Sequence, residues 1–518
     1  MNFSRSVIAE AWARLPEYLG QHVLISICAI ALGFLIGLPL AVGVSRRTRL
    51  RGPAIGIASI VQTIPGLALL ALFYPLLLAL SALTQHLFGF GFRALGFLPT
   101  LLALTLYSIL PVLQNTVTAL AGIDPAIKTA AQGVGMMPRQ SLFLVELPLA
   151  MPMIMAGLRT ASVWVIGAAT LSTPVGQTSL GNYIFTGLQT ENWVFVLFGC
   201  IAAALLALLV DRFLALAESG FVNHSRARLI SAALGLLLIV GASLMPLLAS
   251  EGGTITIGTK SFEEQYILGA LISDRLEKAG FKTVQRDGLG SAVIFHALEA
   301  GDVDVYVDYT GTLWTTQMKR SDVPGRKAVL TKLATWLHDE RHAGDLGSLG
   351  FENAYAFAMR RDRAKALGIE TLADLAAYAP RLKIGGDYEI FSRPEWRAVV
   401  KTYGLNFALQ RQYQANFMYS AVVDGDIDVI SAFSSDGRIA KYDLKLLGDP
   451  KQALPPYDAV LLISPKHAHD EKLLAALRPL IGTIDLGTMQ RANLMVDRAD
   501  DKRTPEQAAA WLSQNLKH

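Results

Sequence analysis

The sequence predicts two folds in series: an all-α membrane domain of six spans, then an α/β domain of two lobes. Two observations carry this prediction. The first is how charge is distributed. Only 17% of the 518 residues are charged, and residues 1–250 hold just 13 of the 46 Lys and Arg and 7 of the 42 Asp and Glu. Soluble proteins average about 25% charged residues, so the first part has membrane-like composition with a net +6, while 251–518 is soluble-like with a net −2. The second is a change of period at Thr254, from long apolar runs to alternating short strands and helices. This pattern excludes a disordered chain, a nucleic-acid-binding domain and an ordinary cytosolic enzyme. The overall +4 does not point to nucleic acid, because the excess lies in the apolar half. Cys28 and Cys200 sit inside apolar runs and read as small packing residues, so neither a disulfide nor a metal site is expected.

A bilayer span needs roughly 20 mostly apolar residues. Such runs lie at 22–45, 54–80, 97–121, 148–170, 193–216 and 229–249. Gln62-Thr63-Ile64-Pro65-Gly66 interrupts the second, which predicts a kink or a broken helix there. Met1–Gly20 contains Glu10, Pro16 and Glu17 and lacks a short apolar core before a cleavage site, so it is not read as a signal peptide. Arg46, Arg47, Arg49 and Arg51 follow the first span, Lys128 and Arg139 the third, and Arg212, Arg226 and Arg228 surround the loop before the sixth. Basic loops stay in the cytoplasm. All three loops therefore give one topology, with the N-terminus and everything after the sixth span outside. The stretch ending at Ala249-Ser250 imitates an internal signal, but Leu247 and Leu248 stand where a small residue is required, so it is read as an uncleaved tether. The expected domains are 1–221, a sixth span and tether at 222–251, and an outer domain at 252–518. Lobe one is placed at about 252–358 and 455–518, and lobe two at about 359–454.

The cytoplasmic loop 124–152 reads Ala130-Ala131-Gln132-Gly133-Val134-Gly135-Met136-Met137-Pro138-Arg139, then Val145-Glu146-Leu147-Pro148. It predicts a short helix, a glycine break and a second short helix ending at a proline, all along the inner membrane face. Asp124, Glu146 and Arg159 are the ionisable groups near membrane level; the first two are read as ordinary loop charges. Thr173-Pro174-Val175-Gly176 and Ser179-Leu180-Gly181 form a broken outer segment. The loop resembles that of permease subunits of ABC importers, which runs Glu-Ala-Ala, three residues, Gly, then an apolar-Pro ending. Here Thr129 stands at the glutamate position. The resemblance implies that Ala130, Ala131, Gly135, Pro138, Leu147 and Pro148 meet a separate cytoplasmic ATPase. ATP and Mg would then belong to that partner, and no cofactor is expected in this chain.

In the outer half, candidate strands are Thr254–Gly258, Lys282–Arg286, Val303–Val307, Ala354–Met359, Leu382–Gly385, Phe407–Tyr413, Asp428–Ala432 and Val460–Ser464, with helices such as Glu264–Ala279 and Ser291–Ala300 between them. Alternation of this kind argues for mostly parallel α/β lobes whose ligand site lies at strand carboxyl ends. Gly253, Gly258, Lys260 and Ser261 imitate a phosphate loop, but that motif needs Gly directly before Lys, and Thr259 intervenes.

Six stretches then carry a resemblance: Gly258-Thr259-Lys260-Ser261-Phe262-Glu263-Glu264-Gln265, Gly288-Leu289-Gly290-Ser291, Asp308-Tyr309-Thr310-Gly311-Thr312, Asn353-Ala354-Tyr355, Ser434-Ser435-Asp436-Gly437-Arg438-Ile439 and Pro455-Pro456-Tyr457-Asp458. In order, they match osmoprotectant-type binding proteins of ABC importers, which take up glycine betaine, choline, carnitine and related betaines. A branch with fused permease and binding protein includes ergothioneine importers. The fold implied is a six-span ABC permease followed by a two-lobed periplasmic-binding-protein domain.

A quaternary ammonium has no donor hydrogen, so aromatic faces must hold it through cation–π attraction of roughly 0.5–2 kcal/mol per ring. Tyr309, Tyr355 and Tyr457 match positions that supply such rings, and Phe391, Trp396, Tyr413 and Phe433 lie near other strand ends. Thr312, Asn353 and Gln265 match polar pocket positions. Narrower choline binders carry a carboxylate at the position of Thr312, so threonine argues for a broader or zwitterionic ligand. Asp436 either lines the pocket or pairs with Arg438. Between Tyr388 and Trp396 the chain departs from the relatives' Arg-x-Asp-Gly-Tyr stretch. Trp396 either replaces its ring or packs into lobe two, and Glu395 could reach an amine or imidazole of the ligand.

Three functions are compatible with parts of this sequence. The resemblance implies an importer subunit in a bacterial inner membrane, working as a homodimer with two ATPase chains. A ligand-gated channel or sensor could use the same clamshell, but has no need of the loop 124–152. An enzyme is not expected: the nine histidines are scattered, His467-Ala468-His469 lacks a third ligand, and no catalytic residue stands out.

Overall fold

The computed structural model describes residues 5–89, 91–92, 94–190, 192–248, 254–320, 322, 324–387, 389–498 and 501–517. Ala249, Ser250, Gly253 and Tyr388, which the sequence singles out, lie outside the described residues. The chain forms two compact units, one mainly of Ile8–Phe185 and Val194–Glu251, the other mainly of Gly252–His518.

Six helices of the described residues are long and apolar enough to cross a membrane: Val7–Ser45, Gly66–Phe88, Phe97–Ala121, Pro138–Val175, Trp193–Val222 and Arg226–Met245. The second apolar run is broken, as its Pro-Gly pair predicts. One helix covers Thr48–Thr63 and another Gly66–Phe88. At the break the Ile64 carbonyl accepts from the Tyr107 hydroxyl, and Gln62 Nε2 donates to the Tyr107 carbonyl at 3.2 Å. Freed backbone groups inside a membrane need such partners.

The fourth span differs from the sequence reading. Its helix does not stop at a proline. Pro138–Ser141 runs through a π-turn, Leu142–Glu146, into Leu147–Ala169. Pro148 has no N–H to offer the preceding turn, and the wider π-turn absorbs the missing bond. Spans three and four pack closely: a Cβ at Gly157 would lie 2.8 Å from the Pro111 carbonyl, and small residues permit such approach in membranes. A triad joins spans four and five, with Arg159 donating to Asp211 at 2.9 and 3.1 Å and to Glu218 at 2.8 Å.

The broken outer segment is packed and mostly buried. Thr173 Oγ1 donates to Asn182 Oδ1 at 3.1 Å, and the Ser179 amide donates to the same oxygen at 2.9 Å. His22 Nδ1 accepts from the Leu180 amide at 3.3 Å, while its Nε2 lies 3.1 Å from the Ile166 carbonyl.

The outer domain has two five-stranded sheets. Lobe one contains β1 (Thr254–Lys260), β2 (Lys282–Leu289), β3 (Val305–Tyr309), β4 (Gly344–Glu352) and, after lobe two, β10 (Asp458–Ile463). Lobe two contains β5 (Tyr355–Arg360), β6 (Lys383–Gly386), β7 (Leu409–Gln412), β8 (Val429–Phe433) and β9 (Leu444–Leu447). The orders are β2-β1-β3-β10-β4 and β7-β6-β8-β5-β9. Each sheet has a parallel part and one strand, β10 or β5, that runs antiparallel to both neighbours. Those two strands are the ones entered directly after the chain changes lobe. The first change falls at Asn353-Ala354, so Tyr355–Ala358 belongs to lobe two and not to lobe one, because β5 pairs with β8 and β9. The second change runs between β9 and β10.

The tight outer segment makes a testable point. A Cβ at Gly181 would run into the Thr170 carbonyl. Overpacking of this kind costs about 1–3 kcal/mol, so Gly181→Ala should lower the thermal midpoint of the detergent-solubilised chain by several degrees. An unchanged midpoint would mean the segment yields freely.

Candidate functional site

The strand arrangement collects aromatic rings at one edge. β1 and β3 end near Phe262 and at Tyr309, and β8 ends at Phe433. Because β5 and β10 run the opposite way, their starts, at Tyr355 and just after Tyr457, lie at that same edge. The rings form a chain across the lobes. Tyr457 and Tyr355 meet edge to face at 5.7 Å, Tyr355 and Phe433 lie 4.9 Å apart, Phe433 and Phe262 are parallel at 6.1 Å, and Phe262 reaches Tyr309 at 6.1 Å. Gly311 allows this: a Cβ there would lie 2.5 Å from the Tyr457 ring.

Two charged residues after β6 enter the group, Arg393 directly before the helix Pro394–Tyr403 and Glu395 in its first turn. The Arg393 guanidinium lies 5.2 Å from the centre of the Tyr355 ring. It donates to Glu395 at 3.0 Å, to Glu389 at 3.0 Å and to Thr312 Oγ1 at 3.3 Å. Glu395 also accepts from the Tyr457 hydroxyl at 2.5 Å and from Thr315 Oγ1 at 2.7 Å. Burial alone would raise the Glu395 carboxyl, but the charge and hydrogen bonds of Arg393, with those of Tyr457 and Thr315, hold it below the usual range. Burial raises the Tyr355 and Tyr457 phenols well above their ordinary value, so both stay neutral.

Behind the rings, a second polar group joins the lobes. Glu264 accepts from the Tyr309 hydroxyl at 2.6 Å, from Asn353 Nδ2 at 3.0 Å and from Asn493 Nδ2 at 3.0 Å. Arg438 pairs with Asp436 at 2.7 Å, Glu263 at 3.4 Å and Asp497 at 3.8 Å. Burial raises Glu263 to about 7, against the opposing charge of Arg438, and Glu264 and Asp497 shift upward for the same reason.

The expected site residues separate by what they touch. Tyr309, Tyr355 and Tyr457 are brought together, with Thr312 on Arg393. Gln265 Nε2 donates to the Tyr309 hydroxyl at 2.9 Å, and Asn353, whose Nδ2 donates to Glu264, lines a small cavity with Phe262 and Phe433. Asp436 takes the pairing alternative with Arg438. Trp396 is buried against Phe391 at 5.1 Å, Phe357 at 6.0 Å and Phe407 at 6.1 Å, inside the lobe-two core, and Phe391 packs beside it. Tyr413 lies against Gly385. Sequence reasoning missed Phe262 and Arg393. A signal for the second was present, since Arg393-Pro394-Glu395 keeps the Arg-x-acid spacing of the relatives' stretch.

In the membrane unit, the helix Pro125–Gly133 starts on an Asp124 cap that accepts from the Ala126 amide. Gly135 has φ +80°, a conformation that favours glycine. Ala130, Pro138 and Pro148 are exposed, Ala131 is buried and Leu147 half-buried. Around them Val134, Met137, Phe143, Leu144 and Leu149 present apolar surface.

Six apolar spans joined to a two-lobed domain with an aromatic site between its sheets define a membrane permease fused to a solute-binding domain. The chain belongs to the family of the substrate binding domain of the ABC-type glycine betaine transport system, whose model matches residues 253–514. Residues 30–222 match the binding-protein-dependent transport system inner membrane component. The chain is 30% identical over 485 residues to the ergothioneine transport permease/ergothioneine binding protein EgtU of Helicobacter pylori (strain G27), covering 90% of this chain and 84% of that protein. It is 40% identical over 209 residues to the choline transport system permease protein OpuBB of Bacillus subtilis (strain 168), covering 40% of this chain and 89% of that one. A crystal structure of a glycine betaine/carnitine/choline ABC transporter shares 31% identity at a TM-score of 0.44, covering 50% of this chain and 97% of that one. The protein is therefore a transporter subunit, with permease and solute-binding domain in one chain.

Two outcomes follow from the site. Trp396→Phe should cost stability and leave ligand affinity within about twofold, since the ring packs in the core; a large affinity loss in calorimetry would place it in the site. The second concerns pH. The folded chain holds the Glu263 proton more tightly than the unfolded chain, so this group's contribution to stability falls as pH rises between 4.5 and about 7. In thermal unfolding across that window, the stability of Glu263→Gln relative to wild type should rise with pH. A difference independent of pH would contradict the assignment.

Proposed function

We propose that the outer domain captures a betaine, a compound carrying both a quaternary ammonium and a carboxylate, and delivers it to its own membrane domain. Two copies of a separate cytoplasmic ATPase, docked on the loop 124–152, drive the passage. The chain pairs with a second copy in a bacterial cytoplasmic membrane, with the binding domain on the outer side.

The observation that carries the ligand class is Arg393 inside a group of neutral rings. The quaternary ammonium takes the faces of Tyr355, Tyr457, Phe433 and Phe262, because it offers no hydrogen to any acceptor. The carboxylate takes Arg393. Of that arginine's acidic partners, Glu389 is 49% exposed and Glu395 fully buried, so Glu389 is the one a ligand carboxylate can replace. Thr312 fits this reading: its hydroxyl accepts from Arg393, where an acid would compete for the same charge. Choline has no carboxylate with which to replace Glu389 on Arg393, so it gains nothing from that arginine. The names of relatives, an ergothioneine transporter and a choline transporter among them, bracket the panel to test.

In calorimetry on the full chain, glycine betaine, carnitine or ergothioneine should bind at least about tenfold more tightly than choline, and Arg393→Ala should remove that preference. Tyr355→Ala should weaken binding of every member by about tenfold. No heat with any betaine, or choline as the tightest ligand, would overturn the ligand class. Deleting Ala130–Gly135 should abolish uptake while sparing binding; uptake that survives would refute docking of the ATPase there.

A further inference from the structure

Glu146 lies in the π-turn Leu142–Glu146 at the entrance to the fourth span, and its side chain is 7% exposed. A carboxylate is costly to bury unless other groups compensate it. Its Oε1 accepts from Arg46 Nη2 at 3.1 Å and from Ser141 Oγ at 3.2 Å, and Lys128 Nζ lies 3.9 Å from its Oε2. Lys128 Nζ also donates to the Leu120 carbonyl at 3.0 Å. These partners come from separate elements. Arg46 directly follows the helix of the first span, Leu120 lies in the last turn of the third, and Lys128 stands on the helix Pro125–Gly133. Leu147, next in sequence, packs with Leu120, Ile123 and Ala150, together with Leu38 and Val42 of the first span.

The helix Pro125–Gly133 has little other attachment. Among its residues Ala131 is the one that is buried. Besides the short link 122–124, Lys128 ties the helix to the membrane unit through the Leu120 carbonyl and the carboxylate that Lys128 faces. The carboxylate is buried although Arg46 and Lys128 are 44% and 37% exposed, so losing these partners would leave its charge uncompensated.

We propose that Glu146 is a positioning residue of the transport step. It fixes the helix Pro125–Gly133 to the cytoplasmic ends of spans one, three and four, so that a displacement of that helix moves the spans as one piece. The inference rests on the reading that this helix receives the ATPase.

The test uses the full chain in liposomes with the ATPase that copurifies with it, and measures glycine betaine taken up and phosphate released. ATP-driven uptake by the unaltered chain tests the underlying reading; its absence would sink that reading before Glu146 is considered. With uptake present, Glu146→Gln should lower the uptake per ATP hydrolysed by at least about tenfold while ligand affinity stays unchanged. Combining it with Arg46→Gln should add little, since both remove the same link. A purely structural role would lower uptake and hydrolysis together and leave their ratio unchanged, and that result would overturn the proposal. If Glu146→Gln does not assemble, Arg46→Gln at its 44% exposed position decides by the same ratio.

Discussion

A carboxylate with no exposure to water stands at the centre of the binding domain. Glu395 is fully buried, and it is tolerated because Arg393, Tyr457 and Thr315 all donate to it. Tyr457 and Thr315 belong to lobe one, whereas Glu395 and Arg393 belong to lobe two. The interaction therefore joins the lobes and sets the chemistry of the site together. It holds the Tyr457 ring by its hydroxyl, with Gly311 giving that ring room. It holds Arg393 over Tyr355, the contact on which the proposal of a zwitterionic ligand rests. Removing the acid would leave a buried guanidinium without its main partner, a loss far larger than that of an exposed ion pair.

The second polar group, around Glu264 and Arg438, extends the same logic toward the hinge. Glu264 accepts from a site ring, from the first crossing at Asn353 and from Asn493 near the C-terminal end. Ring position and hinge position are thus set by one side chain. In the membrane unit, paired charge is used similarly: the buried Glu146 and the half-buried Arg159 triad join separate helices. Apolar side chains have little reason to prefer one another over lipid, so hydrogen-bonded charges and close glycine contacts supply the specificity.

Much of this was legible in the sequence, and the exceptions share a cause. The spans announce themselves by composition, and the broken second helix by Pro65. β4 did not, because Gly344, Gly347 and Gly350 make Gly344–Glu352 read as a loop; only pairing with β10 turns it into a strand. β9 is too short to show a period. Tyr309, Tyr355 and Tyr457 could be found because each sits in a recognisable stretch. Arg393 offered only a spacing signal, since its meaning depends on Thr312 and Tyr355, residues distant in sequence. Glu146 read as an ordinary loop charge because its partner Arg46 lies 100 residues away. Trp396 illustrates the converse: an aromatic near a strand end is visible, but whether it faces a ligand or a core is decided by its neighbours.

The most direct test of the central claim is a crystal structure of the chain with a betaine bound. The quaternary nitrogen should lie within about 6 Å of the Tyr355 and Tyr457 ring centres, with the carboxylate on Arg393 and Glu395 still accepting from Tyr457. A ligand whose carboxylate points away from Arg393, or whose nitrogen lies outside these rings, would contradict the account.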